Sequence, residues 1–184
     1  DQTAVTESFV HLRFSCAEIL SAMLQQASSL GLTTDAQQVS RLMSFKSQAE
    51  FTLLAAEFLA GLCGEMRLRA QQEERQMTQR VLDCILAHYK EMNMSIQMVS
   101  ELLDIPKSQI TLLLREAIGQ NFVQYISYLR MNEFKRLLLE TDKTIKDCVM
   151  EIGYGDVPNF LRKFKSIEGM TPGQYRAAHE QSDV

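Results

Sequence analysis

The chain has 184 residues, a formal net charge of −4, 46% hydrophobic and 23% charged residues, three prolines and no tryptophan. That balance is ordinary for a globular protein, and it excludes a low-complexity chain or a domain that is basic all over. The four cysteines (Cys16, Cys63, Cys84, Cys148) and three histidines (His11, His88, His179) are too scattered for a zinc site or a disulfide framework. Free thiols in a reducing compartment are expected, with no metal and no cofactor.

Leu, Met, Ala, Gln and Glu dominate and strand-like alternation is hard to find, so an all-α protein is predicted. Residues 5–30 read as an amphipathic helix, with Phe9, Leu12, Cys16, Ile19, Leu20, Met23 and Leu24 recurring at threes and fours. "SLGLTTD" ends it: Gly31 suits a C-cap, and Thr34 or Asp35 suits the cap of the next helix. A second helix starts near Ser47, where "SQAE" fits a capping box with Glu50 reaching back to the cap. Its apolar run, "FTLLAAEFLAGLC", contains Glu57 and is too short to cross a bilayer. "RLRAQQEERQMTQRVLDCILAHYKEM" is predicted as a third helix that begins charged and becomes amphipathic from Val81.

The charged stretch 67–80 is read as a helical linker at a domain boundary. Residues 1–66 before it form a helical connector suited to dimerisation or signal transmission, and a homodimer through them is one expectation. The chain opens on Asp1 rather than Met, so it is expected to be a piece of something longer, with upstream anchors or an upstream sensor domain both left open. No secretory signal or membrane span is visible, so a cytoplasmic location is expected.

From residue 81 to 178 the pattern tightens, leaving 179–184 as a tail. Short helices are predicted at 95–105, 106–119, 144–155 and 156–169, with one long helix at 121–142 between the pairs. Residues 106–125 repeat at 156–175: Leu114 meets Phe164, Arg115 meets Lys165, Gly119 meets Gly169 and Tyr125 meets Tyr175. The preceding helices match one residue out of step, Ile96 with Ile145 and Leu103 with Ile152. Each unit is therefore short helix, tight turn, second helix: a helix-turn-helix. Gly153 sits at the bend of the second unit and Asp104 at that of the first, where a left-handed conformation is expected. Ser100 and Val149 occupy the positions where the paired helices cross. The long helix sets the units about 25 Å apart, so two second helices can reach successive major grooves, roughly 34 Å apart, from one chain.

"GYGDVPNFLRKFKSIEGMTPGQYR" resembles the signature that closes AraC/XylS-family transcription regulators, and "YISYLRMNEFKRLLLETDKTI" is similar to that family's linker helix. The resemblance covers about residues 80–177. It implies a bacterial-type, sequence-specific DNA-binding regulator whose second helices read double-stranded DNA. The implied base-reading residues are Ser108, Thr111 and Leu112 in the first unit, and Pro158, Leu161 and Arg162 in the second. Arg162 has the fork that addresses guanine O6 and N7, whereas Leu112 and Leu161 replace groups that are often polar or basic in the family. Lys107, Arg115, Asn159, Lys163 and Lys165 are expected to contact phosphates. Residues 95–184 carry 11 cations against 12 acids, so such contacts need a cationic face rather than a cationic domain. The alternative reading is a helical protein-interaction module with the same fold and weakened DNA affinity. Nothing resembles a nucleophile–base pair or a phosphate loop, so an enzyme is not expected.

Overall fold

A computed structural model describes residues 2–180, and every regular element among them is an α-helix. The chain divides into two compact units between Glu74 and Arg75. The first contains α1 (Gln2–Ser29), α2 (Ala36–Met43) and the opening of α3 (Gln48–His88). Gly31 takes φ 64° after α1, and the Leu32 N–H donates back to the Ala27 carbonyl at 2.9 Å. Asp35, rather than Thr34, caps α2 by accepting from the Gln37 N–H at 2.9 Å. Ser47 caps α3, accepting from the Glu50 N–H at 3.2 Å. The Glu50 carboxylate reaches one residue beyond the expected partner, to the Lys46 N–H at 2.7 Å. Cys16, Leu20, Leu42, Phe45, Phe51 and Phe58 form the core of this unit. The side chains of Phe9 and Leu12, and residues 181–184 of the tail, lie outside the described residues.

The second and third helices expected from the sequence are one helix, α3. The charged stretch 67–80 holds Arg, Ala, Gln and Glu, all strong helix formers, and has neither proline nor glycine. The glycines that precede it, Gly61 and Gly64, lie inside the helix with open space where a side chain would be. Composition changes along the segment while local propensity does not, so nothing stops the hydrogen-bond ladder.

The second unit holds the end of α3, then α4 (Ile96–Leu103), α5 (Lys107–Ile118), α6 (Phe122–Glu140), α7 (Ile145–Glu151), α8 (Val157–Glu168) and α9 (Pro172–Glu180). Two cores form. The first gathers Val81, Ile85, Val99, Ile105, Ile110, Leu113 and Leu114 and is largely aliphatic. The second is built on rings: Phe134 meets Phe160 at 4.7 Å and Phe164 at 5.2 Å, and Phe164 meets Tyr175 edge-on at 5.6 Å. The helices repeat as the sequence does. α5 and α8 have 12 residues each and end on left-handed Gly119 (φ 68°) and Gly169 (φ 74°). The next helices open on matched caps: the Gln124 side chain accepts from the Asn121 N–H at 3.0 Å, and the Gln174 side chain from the Thr171 N–H at 2.9 Å. At the bends Asp104 takes φ 54° and Gly153 φ 81°. The Ser100 hydroxyl donates to the Ile105 carbonyl at 2.7 Å, closing the first bend, while Val149 is wholly buried at the second.

Candidate nucleic-acid interface

The second helix of each repeat is pinned by its apolar side. Ile110, Leu113 and Leu114 hold α5 to the first core, and Phe160 and Phe164 hold α8 to the second. At about 100° per residue the opposite sides are then fixed. On α5 that side carries Ser108, Thr111, Leu112 and Arg115, all exposed, with Lys107 exposed near its edge. On α8 it carries Pro158, Arg162 and Lys165, all exposed. Exposed Asn159 lies on one flank, its N–H held by the Asp156 cap at 3.0 Å.

Two of the sequence-predicted residues have other engagements. Leu161 is half-buried and packs against the second core. Lys163 occupies the position that buried Leu113 takes in the first repeat, so it faces α6; its ammonium donates to the Ser127 hydroxyl at 2.6 Å and lies 6.0 Å from the Tyr154 ring centre. The Thr111 hydroxyl donates to the Lys107 carbonyl at 2.8 Å and keeps its acceptor lone pairs. Leu112 is 54% exposed, an apolar side chain in the middle of an otherwise polar face.

The electrostatics separate bound from available charge. Glu133 joins Lys90 at 2.6 Å and Arg136 at 2.9 Å. Glu140 joins Arg136 at 2.6 Å, Glu151 joins Lys143 at 2.5 Å and Glu168 joins Lys135 at 2.7 Å. The Arg136 hydrogen bond, supported by Lys90, holds the Glu133 carboxyl at about 2. By contrast, among the described residues no hydrogen bond or ion pair engages the side chains of Lys107, Arg115, Arg162 or Lys165. Four glutamates of the unit, Glu133, Glu140, Glu151 and Glu168, are thus already paired with its own cations, and the cations of the two exposed faces are not spent on them.

Sequence reasoning missed the residue that joins the two cores. Arg130 of α6 is a buried charged side chain, 8% exposed. Its Nε donates to the Tyr89 carbonyl at 2.7 Å and its Nη2 to the Glu91 carbonyl at 2.6 Å, where α3 leaves carbonyls without helical partners. Its guanidinium lies 5.2 Å from the Tyr154 ring centre, in the second repeat. Burial pulls the guanidinium down from its ordinary value, partly offset by Tyr154. A signal existed: Arg130 falls four residues after Ile126 and four before Phe134, on a buried stripe. Arg176 plays a similar part at the end of α6, donating to the Leu138 and Lys143 carbonyls at 2.8 and 2.9 Å.

Residues 99–178 match a family described as a helix-turn-helix domain. An uncharacterized HTH-type transcriptional regulator of Bacillus subtilis, YtdP, is 27% identical over 139 residues, which is 76% of this chain and 18% of that protein. The chain therefore spans less than a fifth of that relative's length, yet the match is longer than residues 75–184 and so reaches into the first unit. The C-terminal domain of the two-component response regulator yesN from Fusobacterium nucleatum is similar in structure, with a TM-score of 0.51 and 28% identity, covering 55% of this chain and 98% of that one. A DNA-binding transcriptional dual regulator from Escherichia coli K-12 gives a TM-score of 0.50 at 25% identity, over 57% of this chain and 93% of that one.

Proposed function

We propose that this chain, whose residues 99–178 match a helix-turn-helix domain of the AraC type, is the DNA-reading end of a transcription regulator that lays α5 and α8 into successive major grooves of one duplex. The observation that carries this reading is the pair of exposed faces, fifty residues apart in sequence, each with cations that no acid of the described chain engages. Arg162 reads a base through its guanidinium fork; Ser108, Thr111 and Pro158 lie against base edges, and Leu112 meets a thymine methyl. Leu161 borders the same groove from its half-buried position. Lys107, Arg115, Asn159 and Lys165 neutralise or hydrogen-bond phosphates, and Lys163 joins them by leaving Ser127.

In the same proposal residues 1–66 serve as a connector or dimerisation region fed by an upstream sensor domain, 67–80 as linker, 81–178 as the reader and 179–184 as a tail. Such a protein works where the DNA is, in the cytoplasm; no helix among the described residues is long and apolar enough to cross a membrane. The test is binding to fluorescent duplex DNA across a salt series. With about four to six phosphates neutralised, log affinity should fall with log salt at a slope of roughly −4 to −5. Absence of binding even at low salt overturns the reading.

One observation favours a second reading, a helical interaction module. Leu112 and an apolar groove beside α6 and α8, which includes Val123, Tyr128 and Ile167, expose more hydrophobic surface than phosphate binding needs. That reading predicts a stable protein complex and no duplex binding.

A further inference from the structure

The geometry points to Arg130 as the positioning residue that fixes the spacing at which the two recognition helices engage DNA, through its grip on the end of α3 and on Tyr154. This rests on the DNA-reading proposal above and extends it to a residue that touches no nucleic acid.

Each recognition helix is rigid on its own core, so the pitch between them depends on what ties core to core. The long helix α6 contributes to both cores: Phe122 and Ile126 to the first, Met131, Phe134, Leu137 and Leu138 to the second. Arg130 lies at the changeover between those two sets. Toward the first core it holds two backbone carbonyls, Tyr89 and Glu91. Toward the second it faces the Tyr154 ring, and its Nη2 would stand 3.0 Å from a Cβ on Gly153. Among the described residues no carboxylate is bonded to it; its partners are two carbonyls and one ring face, which together fix a planar, five-donor guanidinium in orientation as well as position. A second tie runs alongside, from Lys90 to Glu133 at 2.6 Å, but the Lys90 ammonium is well exposed and is a point charge without preferred orientation. The directional fastening is therefore Arg130.

DNA converts this fastening into specificity. One added base pair between two contacted segments moves the second by about 3.4 Å and turns it by roughly 34°. A stiff pair of helices rejects that displacement; a loose pair accommodates it.

The test starts from a duplex selected from a random pool by the full chain. One base pair is then inserted or removed between the two protected segments, and affinities are compared at fixed salt. The unaltered chain should lose about tenfold or more on either change, comparable to a mismatched base pair. Arg130→Met keeps the aliphatic stem and removes the donors. It should bind the selected duplex more weakly, and its preference between spacings should fall below about threefold. Arg130→Lys, which keeps one charge-assisted donor, should lie between the two. A residue that only stabilises the fold would weaken binding at all spacings alike, so an unchanged ratio in folded Arg130→Met overturns the inference. Indifference of the unaltered chain to spacing also overturns it. Should Arg130→Met fail to fold by circular dichroism, Tyr154→Leu, which removes the ring face and keeps apolar packing, decides by the same ratio. If the selection enriches no duplex at all, the DNA-reading proposal has failed instead.

Discussion

The Lys90 carbonyl oxygen stands 2.3 Å from the point where a side chain on Gly153 would begin. The bend of the second repeat is thus pressed against the backbone that follows α3, and glycine is required there twice: for φ 81° and for the close approach. Gly153→Ala should destabilise the second unit by about 3 kcal/mol or more, because a carbonyl and a strained backbone must both shift. Thermal melts followed by circular dichroism would check this, and a loss under 1 kcal/mol, roughly the cost of φ alone, would show that the contact yields easily.

Asp104 occupies the matching bend of the first repeat with φ 54°, the one left-handed non-glycine residue among those described. It is exposed, and its negative charge sits at the C-terminal end of α4, the wrong end of the helix dipole. Asp104→Gly should relieve both and raise stability by roughly 0.5 kcal/mol, after the extra freedom of glycine in the unfolded chain is deducted. Chemical denaturation midpoints measure it; a decrease would mean that the aspartate makes a compensating contact.

Glu133 links stability to acid. Its carboxyl is held at about 2, below its ordinary 4.5, first by the Arg136 hydrogen bond and then by Lys90. A carboxyl with a depressed folded value contributes stability that is fully present above the unfolded value. That contribution is lost as pH falls through the folded one. The native chain should therefore lose stability between about pH 4.5 and about pH 2 from this group, and Glu133→Gln should show a shallower slope over that window. Urea midpoints at half-unit pH steps provide the comparison; identical slopes would remove Glu133 from the acid response.

Arg162→Ala tests base reading at the exposed face of α8. Specific affinity should fall by about 5- to 150-fold, corresponding to the 1–3 kcal/mol of a bidentate contact, with a smaller change on random duplex. If discrimination between selected and random DNA survives intact, Arg162 contacts only the backbone.

The repeat was legible in the sequence because its spacing is covalent: Gly119 and Gly169 must end equivalent helices, and Ile110 and Phe160 must face equivalent cores. Exposure of Ser108, Thr111, Leu112, Pro158 and Arg162 followed from helical spacing, which also placed Leu161 on that face, where the structure half-buries it. What spacing did not reveal is which neighbour each flank meets. Leu161 and Lys163 lie on opposite edges of the exposed face, and only the placement of α6 shows that one packs inward and the other bonds Ser127. The continuity of α3 was hidden for a different reason. A shift from apolar to charged composition suggests a boundary, but helix formation depends on propensity and ladder hydrogen bonds, which Arg67–Arg80 satisfy. Arg130 was overlooked because its own residue type does not mark it as interior; only its i±4 neighbours Ile126 and Phe134 do.

The two cores also differ in optical character. In the second unit, the ring-on-ring contacts among described residues belong to the later repeat, where Phe134, Phe160, Phe164, Tyr154 and Tyr175 couple. The earlier repeat is packed mainly with aliphatic groups, with Phe122 buried among them and Tyr89 and Tyr125 half-buried at their edge, and the chain has no indole to swamp weaker chromophores. Near-ultraviolet dichroism of residues 75–184 would consequently weigh the melting of the later lobe more heavily, while amide signals weigh both. A gap between the two curves would measure, without any label, how far the lobes come apart before either unfolds.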